Sequence, residues 1–435
     1  MLRQIRSFVY LLVLMCVAAF GAQPVSAQSE AAGIPGEELT VKIAVLGPGD
    51  ELYYWWGHIA LIIEDAATGV SRFFDYGLFS FDQDNFFLNF AHGRLVYSTG
   101  VSPTALNFGS YIRTNRDVVL YTLDLSPEMR NLVRERAEWS VLPENRDYLY
   151  HHFKHNCATP IIELIDLATG GQFADRFANE AGRFTLRQHV RRQMWFSPPA
   201  DWILNFWMGQ NIDLPITVWE EMFLPEEVGR NIAGFEYVDR DGVSRPLVLN
   251  RENFFRSTGR VGPLDFPKSR TPRQFLVGLG IALLVALVGF GPSSRKPGPR
   301  RQVLGVLNVG FGLVFGGVAL MLFFMAFFTE HDYTFGNANL LFANPLLFAL
   351  FPLGLRLAIS GGKRGKAGRK AEPAIGAIWF LVLLGILASM LIKLTPWFWQ
   401  DNLADQLLFL PIALVSSLRF IGLMWKRFFV RHKTT

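Results

Sequence analysis

The chain contains little cysteine. Two of its 435 residues are cysteines, and one of them, Cys16, lies in the apolar N-terminal segment. If that segment is removed during export, Cys157 remains alone and no intramolecular disulfide can form in the exported part. The remaining thiol therefore either packs in the core, as a lone cysteine often does, or acts as a nucleophile.

The sequence also lacks a Walker loop, a Gly-x-Gly-x-x-Gly element and any apparent internal repeat. Its net charge of +5 does not indicate nucleic-acid binding, because the excess Lys and Arg lie in short loops between apolar segments, where membrane orientation explains them. We expect neither a nucleic-acid partner nor a cofactor.

Residues 1–27 are typical of a secretory signal peptide. Arg3 and Arg6 precede an apolar stretch at 8–20, and the small residues of segment 25–27 suit a cleavage site. An uncleaved N-terminal anchor is the alternative. Either way, the domain that follows is expected on the outer side of a membrane.

From about residue 273 the composition becomes strongly apolar. Five runs are each long enough, at about 18 to 26 residues, to cross a hydrocarbon core as a helix; they are 274–291, 303–328, 340–359, 374–394 and 406–424. The loops 292–302 and 360–373 and the C-terminal tail are rich in Lys and Arg, whereas the two other connections contain none. The positive-inside rule then predicts a multi-pass membrane protein with a cytoplasmic C-terminus and an outward-facing domain at 28–272.

The outward domain changes character along its length. Its first half shows the alternation expected of strands, at Leu39–Leu46, His58–Ile63, Val70–Asp75, Leu95–Val101 and Val118–Leu125. Helix-start signals follow, with Ser126 before Pro127 and capping-box patterns opening at Thr185 and Thr217. This order predicts an α+β domain followed by an all-α bundle of about five transmembrane helices at 273–435.

Cys157 lies at the start of a predicted helix that begins at this residue or at Ala158. Free backbone N–H groups and the positive end of the helix dipole favour a thiolate there. The same N–H groups are suited to hold the oxyanion of a tetrahedral intermediate. This position favours a nucleophile over an inert core thiol.

A base for this thiol is predicted at His58, which begins an otherwise apolar strand. The hairpin formed by residues 59–74 sets Asp75 roughly opposite His58, where a carboxylate orients the imidazole and supports its charged form. We therefore predict a catalytic triad of Cys157, His58 and Asp75. Tyr76 and Glu64 are alternatives for the third position.

A metal site is the competing interpretation of the residues around the thiol. His151, His152 and His155 precede Cys157 closely, and histidines four residues apart share one face of a helix. However, the spacing H-H-x-x-H-x-C matches no common zinc motif, and no further thiol is present. We expect no metal.

Several separated motifs occur here in one order, and together they resemble the Lnb-type lipoprotein N-acyltransferase family, with its N-terminal periplasmic domain and C-terminal membrane helices. The motifs are Trp56-Gly57-His58, Phe74-Asp75-Tyr76-Gly77, Asn156-Cys157, Thr185-Leu186-Arg187, Met222-Phe223-Leu224-Pro225 and the outward loop HDYTFGNANLLFANPL. The resemblance covers nearly the whole chain. It also implies a circularly permuted papain-like fold, as in NlpC-type thiol enzymes, with the histidine strand preceding the cysteine helix.

The resemblance implies an enzyme of the bacterial inner membrane that moves an acyl chain from a phospholipid or a lipoprotein glyceride to the N-terminal cysteine amine of a bacterial lipoprotein, through a thioester on the catalytic cysteine. Cys157 and His58 would be the family's catalytic pair. Candidate substrate-binding residues are Trp56, Tyr76, Asn156 and Arg187, together with His331 and Asn339 in the outward loop, where polar groups near a bilayer suit headgroup positioning.

Two other functions fit the same residues. An NlpC-like cysteine peptidase or amidase acting on peptidoglycan would use the same triad, although it would not need five membrane helices. A membrane-anchored receptor with a ligand-binding outer domain would not depend on the thiol at all. Loss of function on substitution of Cys157 would separate the enzymes from the receptor.

Overall fold

The structure, a computed structural model, describes residues 34–79, 85–290, 297–360 and 366–425. The predicted signal peptide at 1–27 lies outside the described residues. The described part combines an N-terminal domain on an antiparallel sheet with a C-terminal group of long apolar helices. The α+β class predicted for the first part is thereby confirmed. The permuted papain-like arrangement stays a prediction.

Antiparallel strands organise the N-terminal domain. They are β1 (Leu39–Leu46), β2 (His58–Asp65), β3 (Val70–Leu78), β4 (Leu95–Pro103), β5 (Val118–Leu123), β6 (Asp147–Tyr150), β7 (Glu236–Val238), β8 (Ser244–Pro246) and β9 (Val248–Phe255). A seven-stranded sheet has the spatial order β6-β4-β3-β2-β1-β5-β9, and β7 pairs with β8 in a separate hairpin. The five strands predicted from alternation are present, with small differences at their ends.

Strand β2 lies at the centre of the sheet and is buried on both faces. Ile59 and Leu61 belong to the larger core cluster, whereas Ala60 and Ile62 pack in a cluster on the opposite face. This explains why the strand is a nearly continuous apolar run, since a strand covered on both sides has no solvent face to keep polar. Its polar residues lie at the two ends of the strand: His58 at the beginning, and Glu64 and Asp65 at the end.

Short helices cover the sheet. In the N-terminal domain they are α1 (Phe86–His92), α2 (Thr104–Arg113), α3 (Pro127–Ser140), α4 (Thr159–Ala168), α5 (Gln172–Phe177), α6 (Leu186–Met194), α7 (Pro198–Trp207), α8 (Val218–Glu221) and α9 (Pro225–Ala233). Helices α3, α4 and α9 contribute to the larger core cluster, and α2 packs on the other face through Phe108. The predicted cap at Ser126 and the capping boxes at Thr185 and Thr217 are confirmed.

The C-terminal part contains α10 (Thr271–Phe290), α11 (Pro297–Phe328), α12 (Leu350–Ser360), α13 (Lys366–Leu391) and α14 (Leu403–Trp425). Among the described residues, four helices are long and apolar enough to cross a membrane, namely α10, α11, α13 and α14. The prediction of about five such helices was wrong in this respect. The apolar run at 340–359 forms short 3-10 turns and then α12, which has only 11 residues.

Two asparagines explain why that run does not form one long helix. The side chains of Asn337 and Asn344 each accept a hydrogen bond from the backbone N–H two residues later, and each starts a 3-10 turn. Pro345 follows directly and fixes the backbone of the second turn. Asn and Asp side chains compete with regular helix in this way. Hydrophobicity alone therefore overestimates the helical length of the segment.

A buried polar junction fixes the N-terminal domain on the helices. Arg191 of α6 forms an ion pair with Asp401 at 2.6 Å, and Asp401 donates its backbone N–H to Asp213 at 3.0 Å. Gln400 donates to the carbonyl of Met208 at 2.9 Å. Gln400, Met208 and Asp213 are buried, so the hydrogen bonds that they make contribute more than they would at an exposed surface. The junction holds the domain in one position above the outer ends of the helices.

Two neighbouring glycines in α11 test how closely α11 packs on the segment that follows. A Cβ added at Gly316 would lie 2.6 Å from the backbone of Phe348, whereas one at Gly317 would meet nothing within 4 Å. We expect Gly316→Ala to lower stability by about 1–3 kcal/mol through overpacking, and Gly317→Ala to be neutral or slightly stabilising. Thermal unfolding of the two variants in detergent measures the difference. Equal transition temperatures would contradict the close packing.

Candidate active site

Cys157 lies directly before the N-cap residue of α4, Ala158, and α4 itself begins at Thr159. The predicted helix start is therefore correct to within two residues. The thiol is partly exposed and packs against the larger core cluster. The backbone N–H groups at the beginning of α4 follow Cys157 directly in the chain, as its predicted role as a nucleophile requires.

Asn156 shapes the turn that presents the thiol. Its side-chain amide donates to the carbonyls of His152 at 2.9 Å and Phe223 at 2.8 Å, while its oxygen accepts the backbone N–H of Ala158 at 2.8 Å. The side chain is 4% exposed. With its amide and its oxygen so engaged, Asn156 acts on Cys157 by positioning it.

His58 and Asp75 form a short, partly buried contact. The Nε2 atom of His58 lies 2.6 Å from Oδ1 of Asp75, and both side chains are less than a fifth exposed. In the hairpin of β2 and β3, Ala60 pairs with Asp75, so His58 and Asp75 are diagonal neighbours whose side chains point to the same face. This contact uses Nε2 and leaves Nδ1 of His58 for proton exchange with another group.

Gly77 brings the thiol to this pair. Gly77 lies two residues after Asp75 in β3, and it has a φ of +96°. A Cβ built on Gly77 would lie 3.5 Å from the Cβ of Cys157. The missing side chain of Gly77 thus leaves room for Cys157 beside His58.

Electrostatics couple the three predicted residues. Burial opposes protonation of His58, but the charge of Asp75, with contributions from Tyr111 and Cys157, outweighs it and raises the pKa of His58 well above 6.5. Because the folded-state pKa is raised, protonated His58 stabilises the fold below pH 6.5, and this stabilisation is lost as the pH rises through the raised pKa. The raised pKa of His58 favours the positively charged ring, which is suited to stabilise a thiolate.

Three tyrosines, which the sequence analysis did not identify, surround Cys157. Tyr97 of β4 stacks on Tyr150 of β6 with ring centroids 4.1 Å apart, and Tyr148 lies opposite Tyr97 in the strand pair. Burial raises the pKa of all three, and the charge of Cys157 adds to each shift. The alternation of Tyr148 and Tyr150, nine and seven residues before the thiol, is the sequence signal for them.

Tyr148 has a buried hydroxyl without a hydrogen-bond partner among the described residues. This oxygen lies 3.7 Å from the position of a Cβ built on Gly77, the same point that is 3.5 Å from Cys157. A buried hydroxyl without a partner carries a cost in free energy. Its position beside the thiol makes it a candidate donor to a group bound there.

The alternatives for the third residue are engaged elsewhere. Glu64 forms an ion pair with Lys42 at 2.8 Å, and the hydroxyl of Tyr76 lies 3.2 Å from that of Ser140 in the core. Among the described residues, Asp75 alone of these three contacts His58 through its side chain.

The other predicted site residues lie in the junction or close to it. Trp56 packs against the apolar cluster beside α6. Arg187 is completely buried, and its guanidinium binds Asp213 and three backbone carbonyls. His331 contacts the carbonyl of Phe90 and the hydroxyl of Tyr333, and Asn339 is fully buried. In this structure they stabilise the contact between the domain and the outer loops, and the structure does not bring them to the thiol.

The histidines before the thiol are separated by their partners. His151 binds Asp332 at 2.8 Å, and the ring of His155 packs on Tyr148. Burial lowers the pKa of His152 to about 4. Within the described ranges, no group of three or more His, Cys, Asp or Glu is arranged to hold a metal ion.

Comparisons with known proteins identify the N-terminal part of the chain. Residues 28–192 match the family described as the Lnb N-terminal periplasmic domain. The matched segment contains Cys157, His58 and Asp75, and also the three tyrosines around the thiol. No curated protein and no solved structure matches the chain.

The charge of Asp75 is the main factor that raises the pKa of His58, and removing it tests the electrostatic coupling. We expect Asp75→Asn to lower the pKa of His58, because burial then acts without the opposing carboxylate. Histidine NMR across a pH titration measures this value directly. His152 serves as the internal control, since its low pKa has other causes. An unchanged titration of His58 would contradict the coupling.

Proposed function

Because the chain carries a periplasmic domain of the Lnb family, we propose that it is a membrane-bound thiol acyltransferase that N-acylates the N-terminal cysteine of bacterial lipoproteins. Phospholipid is the proposed acyl donor. The observation that carries the proposal is the grouping of Cys157, His58 and Asp75 at one end of the sheet. A nucleophile, a base and an orienting carboxylate are the parts that acyl transfer requires.

The proposed reaction begins at the thiol. In the proposed starting state the proton of Cys157 is already held on Nδ1 of His58, so that a thiolate lies beside an imidazolium. This thiolate attacks the carbonyl carbon of the lipid ester. The tetrahedral intermediate collapses when the C–O bond breaks, and His58 protonates the departing alcohol. An acyl thioester on Cys157 and a lipid lacking one chain are the products of this half-reaction.

The second half-reaction uses the same groups in reverse. The free amine of the lipoprotein attacks the thioester, His58 takes the amine proton, and the thiolate of Cys157 leaves as the amide forms. Asp75 stabilises the imidazolium in both halves. In each tetrahedral intermediate the oxyanion is held by backbone N–H groups at the start of α4 and by the hydroxyl of Tyr148.

The placement of the domain supports this reaction. The chain is a membrane protein with a periplasmic N-terminal domain, and the part of it that the structure describes has four helices apolar and long enough to cross a membrane. We assign it to the bacterial inner membrane with a cytoplasmic C-terminus, because its Lys- and Arg-rich loops alternate with loops that lack them. Both substrates are held at a membrane surface, so an enzyme fixed there meets them at raised effective concentration.

The central test is the N-terminal peptide of a reporter lipoprotein, analysed by mass spectrometry. The host depends on this protein for N-acylation and expresses the wild type, Cys157→Ala or His58→Ala. We expect an added acyl group on the amine only with the wild type, because each variant lacks one half of the proton-transfer pair. A free amine in all three strains would overturn the lipoprotein proposal, and acylation surviving in Cys157→Ala would overturn the thiol mechanism.

The role of Tyr148 has a separate test. We expect Tyr148→Phe to reduce kcat on the order of 10²-fold with little change in KM, because an oxyanion donor acts mainly in the transition state. Stability should not fall, since the hydroxyl has no partner to lose among the described residues. Tyr53→Phe, at an exposed position, is the control. An unchanged kcat in Tyr148→Phe would contradict the assignment.

A further inference from the structure

Helix α1 presents an apolar face to the surroundings. Phe87, Leu88 and Phe90 are 75%, 58% and 49% exposed, and no residue of α1 is buried. Single exposed apolar residues are normal on a protein surface, but a contiguous group of them marks an interaction site. The position of α1 in the structure indicates what covers these exposed apolar residues.

The helix is attached to the outer end of α11. Glu330 donates its backbone N–H to the carbonyl of His92 at 2.8 Å, and its side chain pairs with Arg94 at 2.6 Å. The ring of His331 lies 3.1 Å from the carbonyl of Phe90. These contacts join the C-terminal half of α1, and Arg94 after it, to Glu330 and His331, which lie two and three residues after the end of α11.

The ring contacts give the depth of α1 relative to the membrane. His92 packs near Phe324, with ring centroids 6.5 Å apart. Phe324 lies four residues before the end of α11 at Phe328, which corresponds to about 6 Å along the helix axis. Helix α1 is therefore level with the last turn of a membrane-crossing helix. Aromatic side chains are enriched at this level, where bilayer and water meet.

The exposed aromatic surface continues from α1 onto α11. Phe327 and Phe328 are 64% and 59% exposed at the end of the apolar helix, where a membrane-crossing segment faces lipid. The apolar face of α1 is thus continuous with a lipid-facing surface. A bilayer that surrounds α11 up to Phe328 also reaches α1.

A row of aromatic rings connects α1 with the active site. Phe90 stacks on Phe86 at 6.1 Å, Phe86 on Phe79 at 6.3 Å, and Phe79 contacts Tyr97 at 5.3 Å. Tyr97 is one of the three tyrosines around Cys157. The rings form a continuous apolar contact path from the level of the membrane surface to the nucleophile.

We propose that α1 lies in the outer leaflet of the bilayer and that the ring row from Phe90 through Phe86 and Phe79 to Tyr97 guides an acyl chain of a membrane lipid to Cys157. The location of α1 stands on its own contacts. The guidance of the acyl chain rests on the proposed function. The experiment has two arms, so that one part can fail without the other.

The first arm measures the depth of α1 without any reaction. Cys16 and Cys157 are replaced by Ser in the full chain, Leu88→Cys is added, and an environment-sensitive fluorophore is attached. The protein is reconstituted in phosphatidylcholine vesicles with and without doxyl-labelled lipid. Leu249→Cys is the matched control, since Leu249 is 68% exposed on β9, at the sheet edge opposite β6.

We expect the doxyl lipid to quench the fluorophore at position 88 several-fold more than at position 249, because the quenching group must approach within contact distance. Equal quenching at the two positions would overturn the placement of α1 in the leaflet. This result does not depend on whether Cys157 is a nucleophile.

The second arm compares two acyl donors in a chain with Cys157 intact. Intact-protein mass spectrometry follows thioester formation from vesicle phospholipid and from p-nitrophenyl acetate, a water-soluble ester that needs no membrane path. We expect Phe87→Ser combined with Leu88→Ser to lower the ratio of the phospholipid rate to the soluble-ester rate about 10-fold or more, because two apolar anchors are lost. Leu249→Ser is the control and should leave this ratio unchanged.

The outcomes of the second arm separate the two proposals. An unchanged ratio in the double variant would overturn the guidance of the acyl chain by this surface. No thioester from either donor in the wild-type chain would overturn the proposed function and with it the guidance, while the quenching result still decides where α1 lies.

Discussion

The register between β2 and β3 is the constraint on which the candidate site depends. Pairing Ala60 with Asp75 sets His58 and Asp75 on one face, and Gly77, two residues further along β3, approaches Cys157. A slip of one residue would turn Asp75 to the other face, where Tyr76 packs in the core. The apolar residues of β2 oppose such a slip, since Ile59 and Leu61 would leave the larger core cluster and Ala60 and Ile62 would have to take their places. The hydrophobic core therefore specifies the geometry of the polar site.

A second constraint is the buried junction between the domain and the helices. Arg187 and Asp213 form an ion pair with almost no exposure to water, and Arg187 also binds three carbonyls. A buried ion pair contributes little net stability, because desolvation opposes the attraction. The ion pair does favour a single arrangement of the domain on the helices, since any other arrangement would leave a buried charge without a partner. In the proposed function this arrangement keeps the thiol at a constant height above the membrane.

Much of the site could be predicted from the sequence, and the reasons are local. A hairpin turn and strict alternation place Asp75 near His58, and a helix-start pattern places Cys157. The polar residues of the motifs were harder to interpret, because the same residue types position a nucleophile and bind a ligand. Asn156 is an example: its position beside Cys157 suggested contact with a substrate, whereas its hydrogen bonds hold the turn. That distinction depends on tertiary partners such as Phe223, which lies 67 residues away.

The membrane helices show a different limit of prediction from the sequence. Hydropathy measures transfer into lipid and does not register that Asn337 and Asn344 cap short turns within an apolar segment. The tyrosines were missed for a related reason, because Tyr97 meets Tyr150 only through the pairing of β4 with β6. Contacts between distant strands carry no signal in a local window. They become visible once the sheet order is known.

The aromatic surroundings of Cys157 bear on the choice between transfer and hydrolysis. A thioester reacts with water unless water is kept from it, and the same triad serves hydrolases and transferases. Cys157 is partly exposed, so the three tyrosines do not enclose it completely. In the proposed mechanism an acyl chain lying along the ring row covers the open side, and the substrate itself then excludes water from the thioester. Short acyl groups, which leave the row uncovered, would be lost to water more readily than long ones. Selectivity for transfer would thus arise from the length of the donor chain as well as from the residues around the thiol.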